Sequence, residues 1–439
     1  MYLGSLRCWA AIVLLLGGIV YSWALYSVPP SGDKAYFSIA SVQPHQTPFQ
    51  RGYLYKGMAY VNRQRIPCSV YCADEERPKA NCDYVLVGKL HKRGAYDYAF
   101  KAKEWFPIAR TYSLAEFRYQ AKEWFRQFLD AQLQRPRTAT FLSSLITGDV
   151  EDRSLRFEFS RLGLQHILAI SGFHFAILIA FCSFFLSFFL SYRSRLIALL
   201  LAVNLYFVFI GSLPAVQRSW LTAVLYLVGK LIGRHSSGLN LLGVALAVEI
   251  ILDPLVSAHL GFQLSFLSCT GILLFQPLFE RPLRRFFPKR TTLEWGHFTL
   301  LSQHGYLISS FLRQALAVAL AVNLAILPLL LYHFHQFPLL SLLYNLFFPL
   351  LVSASLFLLL ISLLVYLACP PLAVYFFKAT DFFTSQLLNL TAYPPLALNY
   401  TLKVPAFPAW LIPLYLFTIF YISTTYKKYI EDKYITIVK

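Results

Sequence analysis

Hydrophobic positions fall into two regimes along this chain. Between residues 29 and 112 they alternate with polar ones in short runs, AYFSIASV, GYLYKGMAYV, PCSVYCA, DYVLVGKL and YDYAF, separated by Gly, Pro and Asn. Period-two alternation marks half-buried strands, and several such runs between turn residues predict a small antiparallel barrel or sandwich. From Phe141 the apolar runs lengthen toward the ~20 residues that a bilayer requires. Spans are predicted at roughly 165–190, 195–212, 214–232, 239–252, 259–279, 307–331, 339–368 and 408–425, with a break at Pro349 an open alternative. Residues 371–391 are apolar but carry Lys378 and Asp381, so both a span and a surface helix remain open. The run 8–26 follows Arg7, is longer than a signal-peptide core and lacks a small-x-small cleavage site; it reads as an uncleaved anchor with its start inside.

Between the regimes, Phe117, Ala121, Trp124 and Phe128 recur at helical spacing, with Arg118, Lys122 and Arg126 on the remaining surface. An amphipathic helix over 114–134 follows. Its apolar stripe suits either the membrane interface or a seat on the barrel. The organisation expected is an anchor (1–28), a β domain (29–112), a linker helix (113–140), a polytopic domain (141–425) and a basic tail (426–439).

Composition sharpens this picture. Of 439 residues, 57% are hydrophobic and 14% charged, which excludes an ordinary soluble protein. The net charge of +18 has a common origin in cytoplasmic loops. The basic clusters are 192–195, Lys230 with Arg234, 281–290 and 426–428, and placing all of them inside gives a consistent alternation with the β domain outside. Both termini lie inside only if 371–391 crosses.

A second origin is a path for a polyanion. Residues 29–137 hold 18 Lys and Arg against 10 Asp and Glu, and Tyr53, Tyr55, Tyr60, Tyr96, Tyr98 and Phe100 interleave with the cations. A basic groove with aromatic faces holds single strands; a solvated basic domain with an aromatic core reads equally from the same pattern. Cys68, Cys72 and Cys82 share this region, so one disulfide and one free thiol are expected on an oxidising side. Cys8, Cys182, Cys269 and Cys369 fall in or beside apolar segments and are expected to pack. No metal site is expected, because no common ligand spacing occurs.

The chemistry concentrates in LGLQHILAISGFHFAILIA, residues 162–180. Two imidazoles, His166 and His174, flank Ser171 and Gly172 within an apolar run. Polar groups in hydrocarbon face protein or a water-filled path, and Gly172 offers a place for the helix to bend or unwind. Satisfied histidines in helix packing remain the plain alternative. Further polar positions follow: Arg218, Glu249, Asp253, Gln263, Asn323 and Asn345, with Pro214, Pro328 and Pro349 as candidate helix breaks. Arg218 with Glu249 also reads as a structural ion pair.

The stretch LITGDVEDRSLRFEFSRLGLQHILAISGFHFAIL resembles the signature of ComEC-type competence proteins, with Gly148, Asp149, His166, Ser171, Gly172 and His174 in the motif places. Pro214 and Arg218 match next. LDPLVSAHLGFQLSFLSCTGILLF then supplies Asp253, Pro254, Gly261, Phe262, Gln263 and Ser265, and LPLLLYHFHQFPLLSLLYNLFFPLLV supplies Pro328 and Tyr332. The β domain is similar to the family's external OB-fold. The resemblance implies a multi-pass channel of the inner membrane that takes up single-stranded DNA, with His166, Ser171, Gly172, His174, Arg218, Gln263 and Asn323 lining or shaping its path. It implies contact with membrane lipid and separate receptor, nuclease and motor proteins, with no cofactor. Many family members carry a C-terminal metallo-β-lactamase-like domain; here the chain stops soon after its last predicted span, so strand degradation is expected from another protein. No Walker loop occurs, so a motor would be separate and the chain itself is expected not to be an enzyme. Two rivals remain, a secondary transporter of a small anionic solute and an intramembrane hydrolase built on Ser171.

Overall fold

A computed structural model describes residues 17, 32–46, 51–62, 64–73, 77–93, 98–150, 152–234, 237–290, 299–394, 400–404 and 407–438. The expected anchor at 8–26 lies outside the described residues apart from position 17, as does Tyr96.

The alternating segment forms five strands, β1 (Lys34–Gln46), β2 (Arg51–Val61), β3 (Gln64–Ala73), β4 (Tyr84–Lys92) and β5 (Tyr98–Pro107). They close into a barrel in the order β1-β2-β3-β5-β4. β1 pairs antiparallel with both β2 and β4, while β3 and β5 run parallel. This closed five-stranded arrangement is the OB-fold, and closure leaves no sheet edge. One side chain in two points inward, so Phe37, Tyr55, Val70, Leu86, Tyr98 and Phe100 fill the core. Three of the interleaved aromatics are therefore core and offer no stacking face. Tyr53 is half-buried under the Arg77 guanidinium, 5.2 Å from its ring. Tyr60 remains exposed, edge-on to Tyr36.

Of the three cysteines of this region, Cys68 is buried in the barrel and Cys72 and Cys82 are half-buried. Cys68 and Cys72 sit four residues apart on β3, ~13 Å along a strand and beyond the ~7 Å Cα reach of a disulfide.

The linker is two helices, α1 (Ala115–Gln132) and α2 (Pro136–Thr147), rather than one. Pro136 at N1 starts the second. The polarity of α1 is the reverse of a soluble helix. Lys122 and Arg126, expected on the surface, are buried, whereas Phe117 and Trp124 are 62% and 65% exposed. That is the face an interfacial helix shows to lipid.

The bundle follows as α3 (Arg153–Arg161), α4 (Gln165–Leu168), α5 (Gly172–Leu186), α6 (Tyr192–Ile210), α7 (Pro214–Leu231) and α8 (Gly238–Leu252). A 3₁₀ turn (Pro254–Ala258) leads to α9 (Leu260–Leu283) and α10 (Leu300–Phe334). β6 (Gln336–Pro338) leads to α11 (Leu340–Ala368) and α12 (Pro370–Ala392), and β7 (Thr401–Lys403) to α13 (Leu411–Val438). Among the described residues, four helices, α6, α9, α10 and α11, are long and apolar enough to cross a membrane; α5, α8 and 411–425 are shorter apolar helices.

Two expectations change. The span expected at 165–190 is split by a non-helical step between α4 and α5. Pro328 and Pro349 do not break their helices, which run through them; a transmembrane proline is accommodated where neighbouring groups satisfy the freed carbonyl. Residues 371–391 form α12, laid against α11 with Asp381 fully buried and its carboxylate 2.6 Å from the Arg135 guanidinium.

Candidate functional site

The step between α4 and α5 is fixed from behind. α2 ends at Gly148, whose φ of +77° is left-handed, and a Cβ there would come within 2.8 Å of the Ile170 side chain. Ser171 then caps α5. Its backbone N–H donates to Nδ1 of His174 at 3.2 Å, a capping-box contact with His in place of Glu or Gln. Because Nδ1 accepts, the neutral ring carries its proton on Nε2. His174 is buried, and Nε2 has no partner among the described residues. His166 lies on α4 and is exposed, so the two imidazoles do not share one helical face.

Arg218 faces this step from α7, whose first turn starts at Pro214. It is buried, and among the described residues its guanidinium donates to neutral groups: Nε to Ser265 Oγ (2.6 Å), Nη1 to Cys269 Sγ (3.1 Å) and Nη2 to Ser219 Oγ (3.3 Å). The Phe266 ring lies 5.9 Å away. A methyl added at Gly172 would stand 3.6 Å from Ser219 Oγ and 3.8 Å from Arg218 Nη2, so the N-terminus of α5 abuts the guanidinium. Cys269, expected only to pack, is a ligand of this arginine. Glu249 does not form the direct ion pair: it is buried and neither carboxylate oxygen has a hydrogen-bond partner among the described residues. The result is a buried cation held by hydroxyls and a thiol, beside a helix N-terminus. Both features favour an anion.

The remaining predicted residues are spread out. Ser265 and Phe262 stand on α9, the first at Arg218 and the second buried. Gln263 donates to the Ser257 carbonyl at 3.0 Å and braces the 3₁₀ turn that contains Pro254. Asp253 ends α8, and Gly261 lies in the first turn of α9 against His259. Asn323 donates to the Ala319 carbonyl of its own helix, and Tyr332 is partly exposed near the end of α10. Ser171, Gly172, Arg218 and Ser265 come together; His166, Gln263 and Asn323 do not join them.

Asp149 belongs to a joint instead. Its buried carboxylate accepts from Lys122 Nζ and Arg126 Nη2, both at 3.1 Å, and from Gln43 Nε2 of β1 at 2.5 Å. Arg118 adds Nε to the Val208 carbonyl of α6 (2.7 Å) and Nη1 to the Ala40 carbonyl of β1 (3.2 Å). Barrel, α1 and bundle are pinned at these residues.

The family model described as Competence protein matches residues 145–428, more than half of the chain. The chain belongs to the competence protein family. The matched residues hold Gly148, Asp149, the α4–α5 step and the Arg218 site, while the barrel precedes them. ComE operon protein 3 of Bacillus subtilis (strain 168) is 30% identical over 210 residues, covering 47% of this chain and 24% of that protein. The chain thus matches about a quarter of that relative's length. No solved structure matches the chain.

Proposed function

We propose that this membrane protein passes single-stranded DNA across the bacterial inner membrane during competence, as a channel rather than an enzyme. The observation that carries the reading is Arg218, a buried guanidinium with neutral partners at the broken start of α5, within the residues that match the family. A phosphate beside it would gain a charge-assisted hydrogen bond without displacing a carboxylate. The basic barrel would receive the strand outside, and receptor, nuclease and motor would be separate proteins. Among the described residues no acid contacts Ser171, which disfavours the hydrolase.

The test is labelled-DNA uptake, with the cytoplasmic signal scored apart from DNA that stops at the outer face of the membrane. Deleting the gene should abolish only the cytoplasmic signal. Arg218→Ala should lower it about tenfold or more, as for a lost hydrogen bond to a charged group of about 1.5–3 kcal/mol, with protein level unchanged and Arg218→Lys partly active. Unchanged cytoplasmic DNA in the deletion strain would overturn the channel and leave transport of a small anion as the reading to pursue.

A further inference from the structure

A cleft with a cavity volume of about 100 Å³ lies where the barrel meets the bundle. It is lined by His45 and Gln43 of β1, Lys56 of β2, Asp149, and Arg153 and Arg156 of α3. The sequence sets both walls. Val42 and Tyr55 point into the barrel core, so Gln43, His45 and Lys56 point outward. The register Ser41↔Lys56 and Gln43↔Leu54 puts Gln43 and Lys56 on a cross-strand diagonal, with His45 further along the same face of β1. On α3, Leu155 and Phe159 are buried, while Arg153 and Arg156 stand one turn apart on another face. Arg156 Nη2 donates to the Val150 carbonyl, which holds the guanidinium against the α2–α3 connection.

Among the described residues, the lining carries Lys56, Arg153 and Arg156 against Asp149. Asp149 is taken up by Gln43, Lys122 and Arg126, and Asp152 by the N–H groups of Ser154 and Leu155. Burial, then the charges of Arg153, Arg156, Lys56 and Arg93, push the His45 imidazole below its ordinary value, which registers the cationic field at that point. The volume is several times the ~10–15 Å³ that one water needs, so a tetrahedral phosphate can enter.

We infer that this cleft binds one backbone phosphate of the DNA strand as it leaves the barrel for the bundle, with Lys56, Arg153 and Arg156 as its cations. This rests on the strand-uptake reading and adds a second phosphate station on the outer side of the Arg218 site. Its contacts are to phosphate, so it serves every base sequence alike.

The experiment uses the full chain in nanodiscs of phosphatidylcholine and a fluorescent oligo-dT 20-mer, titrated across a salt series. Lys56→Gln combined with Arg156→Gln should weaken binding several-fold and flatten the slope of log K against log salt by about 0.7 per lost phosphate contact. Cellular uptake should fall in parallel at equal protein level and equal thermal stability. An unchanged slope with normal uptake in both proteins would overturn the cleft and leave the channel standing. Failure of the wild type to move any DNA would instead strike the channel. If the two substitutions alter only association with phosphatidylglycerol vesicles, the occupant is a lipid phosphate and the proposal falls.

Discussion

Asp149 is one carboxylate facing two buried cations, and the arithmetic of charge makes it the most sensitive residue of the joint. Asp149→Asn would leave Lys122 and Arg126 buried against a neutral amide. Breaking a buried pair from one side costs about 3–5 kcal/mol, so the variant should unfold earlier in detergent and its barrel should be released sooner by limited proteolysis. Adding Lys122→Met should recover part of the loss, since it removes one unpaired charge. The dipeptide Gly148-Asp149 was legible as a family motif, but this role was not. Its partners Gln43, Lys122 and Arg126 lie 106, 27 and 23 positions away, and no local spacing connects them. The same holds at Arg218, which the sequence singled out while its partner Cys269, 51 positions on, looked like simple packing. His45 offers a second test at this scale. Its lowered proton affinity comes first from burial and then from Arg153, Arg156, Lys56 and Arg93. Arg156→Ala should therefore raise the His45 pKa, read by NMR of labelled histidine. In the wild type the folded state resists protonation, so this group subtracts stability as pH falls below about 6.5 toward the folded value.

At the scale of elements, the step before α5 separates two glycines that look alike in sequence. Gly172 was the expected weak point, yet it is the first residue of an ordinary helix, and the break is set by the Ser171 cap and by Gly148 behind Ile170. Gly148→Ala should cost about 1 kcal/mol or more, from the left-handed backbone and the 2.8 Å approach to Ile170. Gly172→Ala meets only ordinary van der Waals neighbours and should leave thermal stability within about 0.5 kcal/mol. If both variants are equally destabilised, the assignment of the break to Gly148 fails. Element type was readable almost throughout, because period two and long apolar runs are strong signals. The orientation of α1 was not. Hydrophobic periodicity locates an apolar stripe, but a stripe built for lipid and a stripe built for protein are the same pattern, and here Phe117 and Trp124 face out while Lys122 and Arg126 face in. The prolines misled for a related reason. Their missing N–H is a fact of sequence, whereas whether a helix continues through them, as α10 and α11 do, is decided by packing.

Across the whole molecule, short connections favour an up-and-down order of successive helices from α5 to α13, and in that order the basic clusters fall at one set of ends. The residues 192–195 open α6, Lys230 closes α7 and 281–290 run on from the last turn of α9. The opposite ends carry the barrel joint at Val208 and the small β6–β7 sheet. Positive loops stay in the cytoplasm, so the proposed orientation has the barrel outside and the turn between α11 and α12 inside. Two cysteines test this in one preparation. Cys369 is exposed between α11 and α12, and Tyr112, 95% exposed after β5, can be replaced in a Tyr112→Cys variant. In intact spheroplasts a membrane-impermeant maleimide should label Tyr112→Cys at once and reach Cys369 only after permeabilisation, with the unsubstituted protein as the control for Cys72 and Cys82. The reverse order would put the barrel in the cytoplasm, where it could meet a strand only after transport. The barrel would then be a receiver at the exit, and the cleft beside Lys56 and Arg156 could not guide the strand inward. The labelling order thus decides the direction of every step assigned to this chain.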